Sequence, residues 1–83
     1  MNKVAFITGG TRGIGRQIAI TLAENGYDIA VNYRTNNNAI ITLKEEVERN
    51  NVKFIAVQGD VSKYEDTENM INEIIRQYTR IDV

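Results

Sequence analysis

Short apolar, β-branched runs alternate with segments of helical periodicity along this chain of 83 residues. Each run has the length of a strand that is buried on both faces. The strand-like runs are KVAFIT (3–8), YDIAVNY (27–33) and VKFIAVQ (52–58). Because parallel strands need a long connection between them, this alternation predicts a parallel sheet with helices on both faces. The chain is therefore expected to form half of a doubly wound α/β domain.

Three helical segments complete the pattern. The first covers residues 13–25 and is followed by Gly26 as a C-terminal cap, and the second follows the asparagine run 36–38. Ser62 and Glu65 have the spacing of a capping box, which predicts that the third helix begins there. The residues of the third helix that are predicted to face inward are Ile71, Ile74, Ile75 and Tyr78.

Three glycines, Gly9, Gly13 and Gly15, lie between the first strand and the first helix. A glycine-rich turn at this place aims the free N–H groups and the positive end of the helix at an anion. Gly9 would allow the tight turn, Gly13 would let a pyrophosphate approach the backbone, and Gly15 would let helix and strand pack closely. A tight turn without a ligand is the simpler alternative. A mononucleotide P-loop is excluded, because Arg16-Gln17 stands where that motif needs Lys-Ser/Thr.

The segment TGGTRGIG (8–15) resembles the TGxxxGxG fingerprint of the short-chain dehydrogenase/reductase family, and GDVS (59–62) resembles the family's adenine-contacting segment. The resemblance extends over all 83 residues and is greatest to the 3-oxoacyl-[acyl-carrier-protein] reductases. It implies a partial Rossmann βαβαβα unit with parallel strands in the order 3-2-1, truncated at the start of strand 4. Residues 1–83 would form the N-terminal part of a single, incomplete dinucleotide-binding domain.

The resemblance also implies a cofactor-binding role for particular residues. The turn would lie along the pyrophosphate and its ribose, with Thr11 and Arg12 on the adenosine side. Asp60 would accept a hydrogen bond from the adenine amino group, beside the backbone of Val61. A turn or helix-capping role is the alternative for Asp60. The implied cofactor-binding set is Gly9, Thr11, Arg12, Gly13, Ile14, Gly15, Arg34, Asp60 and Val61.

The end of the second strand indicates which dinucleotide is preferred. NAD-binding sites place an acidic residue there to bind the ribose hydroxyls. This chain has Asn32, Tyr33, Arg34 and Thr35 at that point, and Asp28 lies at the other end of the strand. Arginines form charge-assisted contacts with phosphate. We therefore expect NADP(H) as the cofactor, although Arg34 as a solvated loop cation is the alternative.

The composition excludes several other classes of protein. A formal net charge of −1 gives no reason to expect nucleic-acid binding, and the absence of cysteine excludes disulfides and thiolate metal sites. No membrane span or signal peptide is recognised, so a cytoplasmic location is expected.

The family's catalytic Tyr-x-x-x-Lys pair is absent from residues 1–83. The resemblance therefore implies the front end of a reductase that transfers hydride from NADPH to a carbonyl such as a 3-oxoacyl thioester, in fatty acid biosynthesis. These residues alone would be inactive. The alternative is a stand-alone, non-catalytic module that binds a nucleotide or self-associates.

The segment IDV (81–83) reads as the start of a fourth strand. If nothing more covers the first strand, that strand has a free apolar edge. Such an edge is a template for pairing with another chain. We expect a homo-oligomer that forms through this edge.

Overall fold

A computed structural model describes residues 2–9, 11, 13–35 and 38–83. Strands and helices alternate within these residues, as the sequence predicts. The elements are β1 (Val4–Ile7), α1 (Gly13–Glu24), β2 (Asp28–Tyr33), α2 (Asn38–Glu48), β3 (Phe54–Gln58) and α3 (Tyr64–Tyr78).

The strands form one parallel sheet in the order β1-β2-β3, which confirms the predicted order 3-2-1. Ile29 of the central strand lies opposite Ala5 on one side and Phe54 on the other. The first five residues of β2 are buried, because this strand has a neighbour on both edges and helices on both faces. The fold is therefore a partial, Rossmann-like α/β unit, and the carboxyl ends of all its strands lie at one edge of the sheet.

Side chains on the two faces of the sheet form two separate cores. On one face, Ala19 of α1 and Leu43 of α2 pack with Ala5 and Ile29. On the other face, Met70 and Ile74 of α3 pack with residues that alternate with the first set, including Ala30. The alternation follows from the two-residue period of a strand, which sends successive side chains to opposite faces.

Helix α3 differs from its prediction at both its start and its buried face. Lys63 is the N-cap residue and makes no side-chain capping hydrogen bond, so the predicted capping box of Ser62 and Glu65 is wrong. The Ser62 hydroxyl donates instead to Asp60 Oδ1, at 2.7 Å.

The buried face of α3 consists of Met70, Ile74 and Tyr78, which are spaced four residues apart. Ile71 and Ile75 were also expected to face inward, but they are 39% and 42% exposed. Ile74 and Ile75 are adjacent in sequence, and each has an apolar residue four positions before it, Met70 and Ile71 respectively. Helical periodicity alone therefore does not show which of the two rows faces the core.

The residues after α3 lie along the outer edge of β1. Asp82 N–H donates to the Val4 carbonyl at 2.8 Å, and Phe6 N–H donates to the Val83 carbonyl at 2.8 Å. The Asp82 carboxylate also accepts a hydrogen bond from Val4 N–H, at 2.8 Å. The expectation of unpaired backbone groups along this edge is therefore wrong for Val4 and Phe6. Residues 82–83 thus bond to the N–H and carbonyl groups of Val4 and to the N–H group of Phe6.

Candidate functional site

The glycine-rich turn connects the carboxyl end of β1 to the first turn of α1. Gly9 has a φ of 64° and Gly13 a φ of 58°, both in the left-handed region that side chains disfavour. Beyond its chain neighbours and its own helix backbone, a Cβ atom at either position would have no heavy atom of the described residues within 4 Å. These glycines are therefore needed for backbone conformation, and the space around them is open to a ligand.

Helix α1 begins within this turn, with its N-terminus directed toward the same edge of the sheet. The first turn of α1 carries no acidic residue that would neutralise the positive end of the helix. Ile14 is 81% exposed at this start, and Gly15 is half-buried. Arg12 and Gly10 lie outside the described residues. The described part of the turn has the polarity that an anion requires.

A cleft of about 340 Å³ opens between the glycine turn, the end of β2 and the segment after β3. It brings together four of the predicted cofactor-binding residues from distant parts of the sequence. The residues that line this cleft are Gly9, Thr11, Asn32, Tyr33, Arg34, Thr35 and Val61.

Arg34 and Asp60, predicted to bind different parts of the cofactor, lie beside each other. Arg34 Nη2 is 3.6 Å from Asp60 Oδ2, and the Arg34 side chain is 76% exposed. Both residues line a second cleft of about 450 Å³ that also includes Lys63. Arg34 belongs to both clefts, and its exposure leaves the guanidinium free to reorient toward a phosphate.

Asp60 serves as the acceptor that folds the turn after β3. Its Oδ1 accepts from the Ser62 hydroxyl at 2.7 Å and from Ser62 N–H at 2.9 Å. These two bonds, followed by the nearby charges of Arg34 and Lys63, hold the pKa of the Asp60 carboxyl below its usual value. Asp60 is therefore ionised at neutral pH and able to accept a further hydrogen bond at Oδ2. Asp60 thus has the role in a turn that the sequence offers as the alternative to adenine binding.

Asn32 is the residue that sequence reasoning missed in this site. It is 5% exposed, and its Oδ1 accepts from Gly9 N–H at 2.7 Å. Its Nδ2 donates to the Gly59 carbonyl at 3.2 Å. The sequence signal for this role is a single amide side chain directly after three apolar strand residues. From the sequence, Asn32 indicates only that the strand end lacks a carboxylate.

Arg16 is a second missed residue, on the helix that leaves the turn. Its Nη1 donates to the Thr11 carbonyl at 3.3 Å and to the Ala39 carbonyl at 3.2 Å. Its Nη2 forms an ion pair with Glu46 at 3.0 Å. Arg16 thus fastens the glycine turn to helix α2, which no sequence motif indicated.

The described residues contain no group of three or more His, Cys, Asp or Glu side chains that could hold a metal ion. Among the helices of the described chain, none is long and apolar enough to cross a membrane. The features of this edge are a glycine turn, a helix N-terminus, an exposed arginine and an ionised aspartate, a set suited to a phosphorylated nucleotide.

Comparison with known proteins agrees with this geometry. The family model described as short chain dehydrogenase matches residues 3–83. The chain belongs to this family. As a short-chain dehydrogenase it shares 42% identity over 83 residues with a 3-oxoacyl-[acyl-carrier-protein] reductase, FabG, of Staphylococcus epidermidis, which covers the whole chain and 34% of that protein.

Solved structures of longer proteins superpose on nearly all of this chain. A blue fluorescent protein from a metagenomic library, in complex with NADPH, matches with a TM-score of 0.89 at 35% identity, over 96% of this chain and 33% of that one. An NADPH-dependent 3-quinuclidinone reductase from Rhodotorula rubra matches with a TM-score of 0.88 at 35% identity, over 96% of this chain and 30% of that one. The chain spans about a third of the length of these relatives.

Proposed function

We propose that this short-chain dehydrogenase binds NADP(H) at the carboxyl edge of its sheet and serves an oxidoreductase that reduces a carbonyl group. The family membership and the NADPH named in two matching structures support the cofactor class. The 42% identity to a 3-oxoacyl-[acyl-carrier-protein] reductase supports a 3-oxoacyl thioester as substrate and a place in fatty acid synthesis. A cytoplasmic location belongs to the same proposal.

The observation that carries the preference for NADP(H) is the position of Arg34. It follows β2 directly and lines the cleft beside the glycine turn. Among the described residues of β2 and its end that line this cleft there is no carboxylate, so the acidic side chain with which NAD-binding sites hold the ribose hydroxyls is not found there. An exposed guanidinium can form a bidentate, charge-assisted contact with that phosphate.

The remaining residues would divide the cofactor between them. The pyrophosphate and its ribose would lie along Gly9, Gly13, Ile14 and Gly15, where the backbone is open and the helix N-terminus is positive. On the adenosine side, the proposed contacts are Thr11, Arg12, Asp60 and the Val61 backbone. When bound, NADPH would supply the hydride, and these residues would hold its adenosine half.

Residues 1–83 alone are not expected to catalyse the reduction. The four tyrosines are followed four positions later by Val31, Asn37, Glu68 and Asp82, so none has a lysine at the family's catalytic spacing. A proton donor with a lowered pKa is what the reduction of a carbonyl requires. The described residues supply the cofactor half of the site only.

Substitution of Arg34 tests the cofactor preference. We expect the protein at its natural length to bind NADPH more tightly than NADH in a fluorescence titration. Arg34→Ala should weaken NADPH binding by about tenfold, the loss of one exposed charge-assisted contact, and should leave NADH binding unchanged.

Lys63→Ala is the matched control, because Lys63 is a nearby cation that lines only the second cleft. Its substitution should leave both affinities unchanged. Equal or tighter binding of NADH by the unsubstituted protein would show that the assignment of NADP(H) is wrong.

A further inference from the structure

Asn32 is a buried amide at the carboxyl end of the central strand. It is 5% exposed, and the three residues directly before it, Ile29 to Val31, are buried and apolar. A buried polar side chain in such a place is costly unless each of its polar atoms has a partner. Both ends of the Asn32 amide do have one.

The two partners of Asn32 come from the strands on either side. Gly9 follows β1 and donates its N–H to Oδ1 at 2.7 Å. Gly59 follows β3 and accepts from Nδ2 at 3.2 Å. An amide in this orientation satisfies an N–H group on one side and a carbonyl on the other. One side chain thus joins the ends of all three strands at the edge where the cofactor cleft opens.

The hydrogen bond from Gly9 N–H to Asn32 Oδ1 restrains the backbone of the glycine turn. Gly9 has a φ of 64°, a conformation that glycine reaches easily but also leaves easily. A phosphate-binding turn gains affinity when it is fixed before the ligand arrives. The bond also engages the Gly9 N–H, so that the N–H groups left for a phosphate are those farther along the turn.

We propose that Asn32 is a positioning residue that holds the glycine turn in its dinucleotide-binding conformation. The effect on the ligand rests on the proposed function. The restraint of Gly9 by Asn32 does not, and it can be measured without a ligand.

Asp28 provides a matched control at the opposite end of the same strand. It is 6% exposed, and its Oδ1 accepts from Lys53 N–H at 2.8 Å and from Asn2 Nδ2 at 3.1 Å. Asp28 therefore also bridges β2 to neighbouring chain segments through two hydrogen bonds. It lies at the amino end of the strand, away from the cleft.

The experiment compares Asn32→Leu and Asp28→Leu in the protein at its natural length, under conditions in which urea titration shows each variant to be folded. Both substitutions should lower stability. Only Asn32→Leu should weaken NADPH binding, by about tenfold or more, because only this variant loosens the turn. Should Asn32→Leu not fold, Asn32→Ser replaces it, since a serine hydroxyl is too short to reach both partners.

Amide hydrogen exchange at Gly9, followed by NMR without ligand, separates positioning from general stability. Exchange at Gly9 should accelerate in Asn32→Leu, stay close to the unsubstituted rate in Asn32→Asp, which keeps the acceptor, and be unaffected by Asp28→Leu. Unchanged Gly9 exchange in Asn32→Leu, or equal losses of NADPH affinity in the Asn32 and Asp28 variants, would overturn the proposal. If the unsubstituted protein binds no NADPH while the exchange pattern is as expected, the restraint by Asn32 stands and the proposed function falls.

Discussion

At the scale of single residues, the contact between Gly59 and Met70 shows how closely the segment after β3 packs on α3. A Cβ atom at Gly59 would lie 2.8 Å from Met70 Sδ and 3.0 Å from its Cγ. Met70 is 2% exposed, so its side chain has little room to withdraw. The segment that carries Asp60 and Val61 therefore begins close against helix α3, where a larger residue than glycine has no space.

Gly59→Ala should therefore lower the free energy of unfolding by about 1–2 kcal/mol through overpacking. The same substitution should cost much less in a Met70→Ala background, where the opposing side chain is gone. Urea titrations of the two single variants and the double variant measure this coupling. Additive losses would mean that the Gly59 position tolerates a methyl group without touching Met70.

At the scale of the elements, Tyr78 fixes the end of α3 to the central strand. Its hydroxyl donates to the Ile29 carbonyl at 2.9 Å, and the side chain is buried. Burial, aided by the negative charges of Asp28 and Glu48, raises the pKa of Tyr78 above its ordinary value. The folded state thus favours the neutral phenol more strongly than the unfolded state does.

Stability from Tyr78 should accordingly be complete below about pH 10, the pKa of an unfolded tyrosine, and should decline as the pH rises beyond it. Tyr78→Phe should cost about 1 kcal/mol at neutral pH and should lessen the alkaline decline. Thermal unfolding between pH 8 and pH 11 measures both effects. Tyr64→Phe, at a position 81% exposed, is the control and should change neither. An alkaline decline of the same size in the Tyr78 variant would contradict this role.

The alternation of strand and helix periods, which is a local property, was sufficient to predict which segments form strands and helices. The order in which the strands pair was implied by the family resemblance, and the structure confirms it. The start of α3 was mispredicted because a capping box needs both the hydroxyl and the N–H group of Ser62. In the structure both groups donate to Asp60 Oδ1, which the turn after β3 brings near. Asn32 and Arg16 were missed for a related reason: each bonds to residues at least five positions away, up to 30, that only the folded chain brings near.

At the scale of the whole molecule, the predicted self-association through the edge of β1 depends on the residues that lie along that edge. Residues 82–83 form a cover along this edge that bonds to the N–H and carbonyl groups of Val4 and to the N–H group of Phe6. Asp82 provides the side-chain part of this cover. Its carboxylate accepts from Val4 N–H at 2.8 Å and from Arg80 Nε at 2.8 Å. The hydrogen bonds from Arg80, followed by the one from Val4 N–H, lower the pKa of the Asp82 carboxyl. Asp82 is therefore ionised at neutral pH and can accept both sets of bonds.

Self-association through β1 stays a prediction, and it now requires that this cover be displaced. Asp82→Ala should loosen residues 82–83, expose the backbone groups of Val4 and Phe6, and shift the 83-residue chain toward dimers and larger species. Sedimentation velocity over a range of protein concentrations measures the shift. Glu73→Ala is the control, because it removes an equal charge whose bonds within the described part of the chain are to Arg76 and Gln77 of its own helix. If Asp82→Ala and the unsubstituted chain sediment alike, the prediction is wrong in one of two ways. Either the cover formed by residues 82–83 does not depend on Asp82, or the β1 edge does not drive association. In the second case an interface elsewhere on the molecule must account for any oligomer.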